Sequence, residues 1–250
     1  MRIDVLTLFP GMVEAPLGYS LLGKALEQGV LTVETTNIRD FAVDKHRTVD
    51  DEPYGGGAGM VMMCGPLAGA IESLRPRNSL GRVILMSPRG RRLDQALVRE
   101  LAEEEDLVLV CARYEGVDQR IADTLVTDEI SIGDYVLSGG ELPALVLIEA
   151  LSRMLPGVVG KRESVETDSF YRGMLGPPQY TRPPEFRGAE VPGILREGNH
   201  EAIRRWRRKE ALRATRRHRP DLLDNLNDED NELLAEIARE CGEDVKEMDR

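Results

Sequence analysis

The chain has 250 residues, 41% of them hydrophobic, enough for a sizeable core in one large domain or two smaller ones. No apolar run is long enough to span a bilayer and no basic start with a cleavage site marks a signal peptide, so the expectation is a cytoplasmic protein with no membrane contact. The formal net charge of −11 argues against nucleic acid only until its distribution is read: residues 196–219 hold ten Arg or Lys against three Glu, and residues 220–250 hold twelve acids against three bases.

Residues 2–9 alternate into a buried strand closed by Pro10-Gly11, and Ser20 is placed to cap a helix through Gln28 that Gly29 stops. Residues 31–35 form the next strand. Residues 38–59 are polar, then glycine-rich, ending Tyr54-Gly-Gly-Gly-Ala-Gly59. No Gly-Lys-Ser/Thr follows and the GxGxxG spacing is absent, so this is a loop and not a phosphate-binding turn. A short helix is expected over 66–74, a strand over 82–86, an amphipathic helix over 93–104, a wholly apolar strand over 107–111 and a shorter strand over 129–132.

Strands alternating with helices imply a parallel α/β sheet covered on both faces. Ligands in such sheets sit beyond the carboxyl ends of the strands, here 86–90, 112–116 and 132–140. The helix 141–155 follows, with apolar residues on every side, so it needs burial on more faces than one domain of this size offers. A second chain is a natural cover. Residues 156–198 are rich in Pro and Gly, with an interdomain linker placed at 159–170 between domains 1–158 and 171–250. Asn199 caps a helix over 200–218 with Ile203, Trp206 and Leu212 inward and arginines outward, and 233–241 is a last, acidic helix. Cys64, Cys111 and Cys241 are odd in number and far apart, which fits free thiols and neither a disulfide frame nor a zinc site.

Glycines 116, 133, 139 and 140 allow sharp turns and close approach of backbone to a ligand. They stand in Arg113-Tyr-Glu-Gly116 and in Ile132-Gly-Asp-Tyr-Val-Leu-Ser-Gly-Gly-Glu141, and these strings resemble the cofactor loops of the bacterial tRNA (guanine-N1)-methyltransferases. The resemblance extends to LTLFPGM ending at Met12, HRTVDDEPYGGGAGM at 46–60, SPRGRRLDQ at 87–95, DSF at 168–170 and YTRP at 180–183, and fades after about residue 220.

The resemblance implies a SPOUT-type parallel sheet with a trefoil knot in its late part, a small, mostly helical C-terminal domain that binds tRNA, and a homodimer with active sites shared between subunits. It implies methyl transfer from S-adenosyl-L-methionine to N1 of the guanosine at tRNA position 37, 3′ of the anticodon. Rival readings are a SPOUT enzyme methylating another RNA position and a non-catalytic RNA-binding protein.

N1 of guanine carries a proton at neutral pH, so the reaction needs a base and a donor for charge growing on the carbonyl oxygen. By resemblance Asp168 is the base and Arg153 the donor. Local sequence alone makes Asp168 a helix N-cap before Ser169, and Arg153 a cation near a helix C-terminus. The cofactor would be held by Met86, Ser87, Ala112, Tyr114, Gly116, Ile132, Gly133, Asp134, Tyr135, Val136, Leu137, Gly139 and Gly140. Glu115 and Asp134 are second-rank candidates for the sulfonium or an Mg2+ ion. Ala112 stands where the family commonly has glycine, which a negative φ would tolerate. The glycine-rich loop before residue 60 becomes a substrate-side lid, and the basic helix with Trp206 an RNA-facing surface.

Overall fold

The computed structural model describes residues 1–74, 81–160, 166–224 and 226–242. The chain divides into two compact units, Met1–Arg162 and Glu163–Arg250.

In chain order the first unit carries β1 (Arg2–Thr7), α1 (Pro10–Leu17), α2 (Ser20–Glu27), β2 (Thr32–Asn37), the two-residue strands β3 (Asp50–Asp51) and β4 (Val61–Met62), α3 (Cys64–Leu74), β5 (Arg82–Arg92), α4 (Gln95–Leu101), β6 (Asp106–Cys111), α5 (Gln119–Leu125), β7 (Asp128–Ser131) and α6 (Glu141–Ser152). Five strands form a sheet in the order β2-β1-β6-β5-β7, with every neighbouring pair parallel. Period-two alternation divides their side chains between two cores. Ile3, Val5, Ile84, Met86, Leu107 and Leu109 pack with α1, α2, α4 and α6 on one face. Leu6, Leu85, Val108 and Val110 pack with α3 and α5 on the other.

Sequence and structure differ at several boundaries. Pro10 does not merely end β1. It opens α1, since its fixed φ suits the first turn of a helix and its missing N–H costs nothing there. Ser20 makes no capping bond; Tyr19 occupies the cap position and Ser20 has a φ of 59°. Helix α4 begins at Gln95, because the Asp94 side chain accepts a hydrogen bond from the Leu97 amide at 2.8 Å and sets the start. Strand β5 runs to Arg92, past the expected end at 86. Residues 87–90 bulge away from β7 before pairing resumes at Arg91.

Helix α6 ends at Ser152, three residues early. Its Ala144, Leu147, Ile148 and Leu151 are buried, while Leu142 and Val146 remain 52% and 48% exposed. Phe9 and Met12, at the start of the neighbouring α1, are exposed in the same way. One chain thus leaves part of this apolar helix uncovered.

The second unit carries β8 (Glu185–Phe186) and β9 (Ala189–Glu190), paired as a small hairpin, then α7 (His200–His218) and α8 (Asp228–Glu240). Met174, Ala211, Leu212, Leu233, Leu234 and Ile237 form its core. Asn199 caps α7 by accepting from the Ala202 amide, as expected. Helix α8 starts five residues before the expected position, because Asn227 and Asp230 form a reciprocal capping box.

The outward arginines of the sequence reading are corrected here. Arg204 pairs with Glu229 at 2.8 Å, Arg208 with Asp230 at 2.6 Å, Lys209 with Glu236 at 2.9 Å, and Arg213 with Glu240 at 2.6 Å. Arg205 also reaches Glu236. The reason is helical geometry: basic residues at 205, 209 and 213 repeat every four positions, and so do the acids at 236 and 240. Helix α8 is the counter-charge of the basic helix.

Candidate active site

Strands β6, β5 and β7 are neighbours, so the loops leaving their carboxyl ends converge. They enclose a cavity of about 280 Å³. Met86, Ser87, Ala112, Tyr114, Gly116, Ile132, Gly133, Tyr135, Val136, Leu137, Gly139 and Gly140 all line it. Asp134 does not: it is exposed and points no atom into the lining. Arg89, Gln119 and Pro143 also line the cavity and escaped the sequence reading. Arg89 donates to the Gln119 side chain at 3.1 Å, a contact between segments thirty residues apart that no local pattern reveals.

The loops are fixed largely through main chain. The Gly140 amide donates to the Ala112 carbonyl at 2.8 Å, and Arg113 bridges Gly139 in antiparallel fashion. A Cβ on Gly140 would lie 2.7 Å from Cys111 Cα and 3.0 Å from the Ala112 nitrogen. Glycine is therefore demanded by the wall behind the loop and not by the cavity. Gly116 needs glycine for another reason, a φ of +116°. Ser131 Oγ donates to the Gly133 carbonyl at 3.0 Å and accepts from its amide, closing the turn after β7. Ala112 has no positive φ, so alanine is accommodated there without backbone strain.

The glycine-rich segment lies along the rim. The Glu115 amide donates to the Met60 carbonyl and the Met62 amide to the Gly116 carbonyl, both at 2.9 Å. A Cβ on Gly59 would stand 2.4 Å from Glu115 Oε1, so this glycine leaves room for the glutamate. Tyr114 adopts a φ of 60°, and its phenol is pushed up from its ordinary pKa by burial and then by the nearby Asp50 carboxylate. Cys111 is buried beside the cavity and burial drives its thiol far above the usual range, so it offers no thiolate nucleophile.

Arg153 is half-buried at the C-cap of α6 and is not part of the cavity lining. Asp168 belongs to the second unit and is exposed. It lines a separate cavity of about 420 Å³ there with Arg172, His200, Arg204, Arg207 and Arg208. No helix starts at Ser169; the chain turns through 169–173, so the N-cap alternative for Asp168 fails. Among the described residues, no group of three or more His, Cys, Asp or Glu could hold a metal ion, and no helix is long and apolar enough to cross a membrane.

A parallel sheet with a cavity walled by the loops after β5, β6 and β7, and no glycine-rich turn after its first strand, defines an α/β protein with a ligand site built from late loops. The family description tRNA (guanine-1)-methyltransferase TrmD matches residues 1–225. The chain is 56% identical over 247 residues to a tRNA (guanine-N(1)-)-methyltransferase of Moorella thermoacetica, covering 97% of this chain and 99% of that protein. It is 54% identical to the proteins of that name from Geobacter sulfurreducens, covering 96% of this chain and 99% of the relative, and from a Synechococcus species, covering 100% and 99%. The chain belongs to the tRNA (guanine-1)-methyltransferase family.

Proposed function

We propose that this chain transfers a methyl group from S-adenosyl-L-methionine to N1 of the guanosine at tRNA position 37, acting in the cytoplasm as a homodimer with shared sites. The observation that carries this reading is the cavity beyond β5, β6 and β7, where twelve of the thirteen residues expected to hold the cofactor lie together. The cavity suits such a cofactor. Backbone N–H and C=O groups at its rim can recognise a purine, and Met86, Ile132 and Leu137 provide apolar surface. S-adenosyl-L-methionine supplies an electrophilic methyl group on a cationic sulfonium.

The protein's own work is acid–base and positional. Asp168 accepts the N1 proton as the ring nitrogen attacks, and Arg153 donates to the guanine carbonyl as it gains charge. Glu115, at the cavity mouth, is the carboxylate available to the sulfonium or to an Mg2+ ion. Residues 1–158 form the catalytic domain, 159–170 the connection, and 171–250 the domain that meets tRNA. By family resemblance the late part of the sheet threads through itself as a trefoil knot.

A second subunit would cover Leu142 and Val146 of α6 and bring Asp168 of one chain to the loops of the other. On α7, Arg207 and Arg217 are exposed arginines for which the described residues supply no paired carboxylate, and Arg207, which lines the same cavity as Asp168, is the phosphate contact of this reading. Enzymes acting on base atoms extrude the base, and the guanosine would enter flipped. The test is transfer of labelled methyl groups to unmodified tRNA, mapped to the nucleotide. Label at a ribose, at another base or nowhere would refute the reading.

A further inference from the structure

We propose that Glu141 is a positioning residue for the cofactor loops, acting through Arg113. The inference rests on the cavity beyond β5, β6 and β7 being the cofactor site.

Glu141 occupies the first position of α6, where an acid usually lies in solvent near the positive end of the helix dipole. Here its side chain is completely buried. Its Oε1 accepts from the Thr7 hydroxyl at 2.8 Å and from Arg113 Nε at 3.2 Å, and its Oε2 lies 2.9 Å from Arg113 Nη2. That second contact has ion-pair distance but not hydrogen-bond alignment, so Oε2 has charge compensation and no hydrogen bond. Arg113 also donates through Nη1 to the Ser138 carbonyl at 3.3 Å, and its guanidinium covers the Phe9 ring at 4.5 Å from the centroid.

One ion pair thus joins the end of β1, the segment after β6, and the segment after β7 at the start of α6. The two cofactor loops meet where this pair sits, across the Arg113–Gly139 bridge and beside the Gly140–Ala112 hydrogen bond. A Cβ on Gly139 would fall 2.3 Å from Arg113 Nε and 2.6 Å from Glu141 Oε2. The glycine at 139 is therefore the gap that admits the pair. Apolar residues of equal volume usually stabilise a core as well as a buried ion pair does, or better. Stability alone does not call for these charges, whereas a fixed distance between two ligand-holding loops does.

The test compares full-length wild type with Glu141→Gln, Arg113→Lys and the double variant Glu141→Gln/Arg113→Met, titrating each with S-adenosyl-L-methionine by calorimetry and recording its melting temperature. Supporting contacts around a ligand site are worth about 10–100-fold in affinity, by analogy with the outer shells of metal sites. Arg113→Lys keeps the charge but cannot hold Glu141 and Ser138 together; it should stay folded and lose about tenfold or more in affinity, with KM for the cofactor rising and kcat at saturation little changed. The double variant leaves no charge unpaired. It should regain the melting temperature lost in Glu141→Gln without regaining affinity. Wild-type affinity in folded Arg113→Lys, or recovery of affinity along with stability in the double variant, would overturn the positioning role. Wild-type protein that binds no S-adenosyl-L-methionine would instead refute the proposed function.

Discussion

Arg208→Gln separates a structural arginine from an RNA-binding one. Arg208 Nε and Nη2 lie 2.6 and 2.7 Å from the two Asp230 oxygens, a bidentate pair. The Asp230 side chain is 2% exposed and that of Arg208 25%. Removing one partner of a fully buried pair costs about 3–5 kcal/mol, and the part-exposed guanidinium reduces this to about 2–3 kcal/mol. For a unit of this size the melting temperature should fall by about 10–20 °C. Trp206, on α7, is the only tryptophan of the chain, so its fluorescence in urea follows the second unit alone. Measured below the new transition, RNA affinity and its log K versus log salt slope should be those of wild type. Arg207→Gln should do the reverse, keeping stability and flattening the slope by about 0.7–0.9. Unchanged stability in Arg208→Gln, together with a flatter slope, would show that the arginine serves phosphate and not α8.

Gly140→Ala should abolish cofactor binding in calorimetry and cost about 1–3 kcal/mol through overpacking against Cys111, whereas Gly160→Ala, with nothing within 4 Å, should change neither. Asp168→Asn should keep cofactor affinity and lose methyl transfer. Mixed dimers of Asp168→Asn and Gly140→Val chains should recover activity if sites are shared, and a dead mixture of confirmed heterodimers refutes sharing. Leu142→Arg with Val146→Glu should convert a dimer to monomers in analytical ultracentrifugation and lose transfer with it. Hydrogen bonds from Arg208 hold Asp230 below the usual carboxylate range, and bonds from Arg205 and Lys209 hold Glu236 down to about 2. Both values are depressed in the folded state, so their stabilisation is complete above the unfolded range near about 4 and is lost as pH falls towards about 2. Circular dichroism melts of the second unit should be flat from pH 6 to 8 and fall steadily below about pH 4.5.

Local patterns carried much of this protein. Apolar strands and intervening helices were enough for a parallel α/β unit, because burial on both sheet faces leaves a continuous hydrophobic run at 107–111, with an alternating strand at 2–7. Asn199 and the helix to His218 were equally plain, since a cap and a long run of helix formers are local chemistry. The strings at 113–116 and 132–141 pointed to the cavity lining through their resemblance to a family's cofactor loops; their glycines alone are equally compatible with ordinary turns at strand ends. Tertiary structure decided what distance along the chain conceals. It turned Glu141 inward onto Arg113 and Thr7, a contact spanning 134 positions from Thr7. It showed that Gly140 is small for the sake of Cys111, and that Asp134 looks away. It set the acidic helix α8 against α7, so that most of the arginines expected to face RNA face carboxylates instead. A charge run in sequence has no direction; only packing of Leu212, Leu233 and Ile237 between the helices fixes which side of α7 is left for a partner.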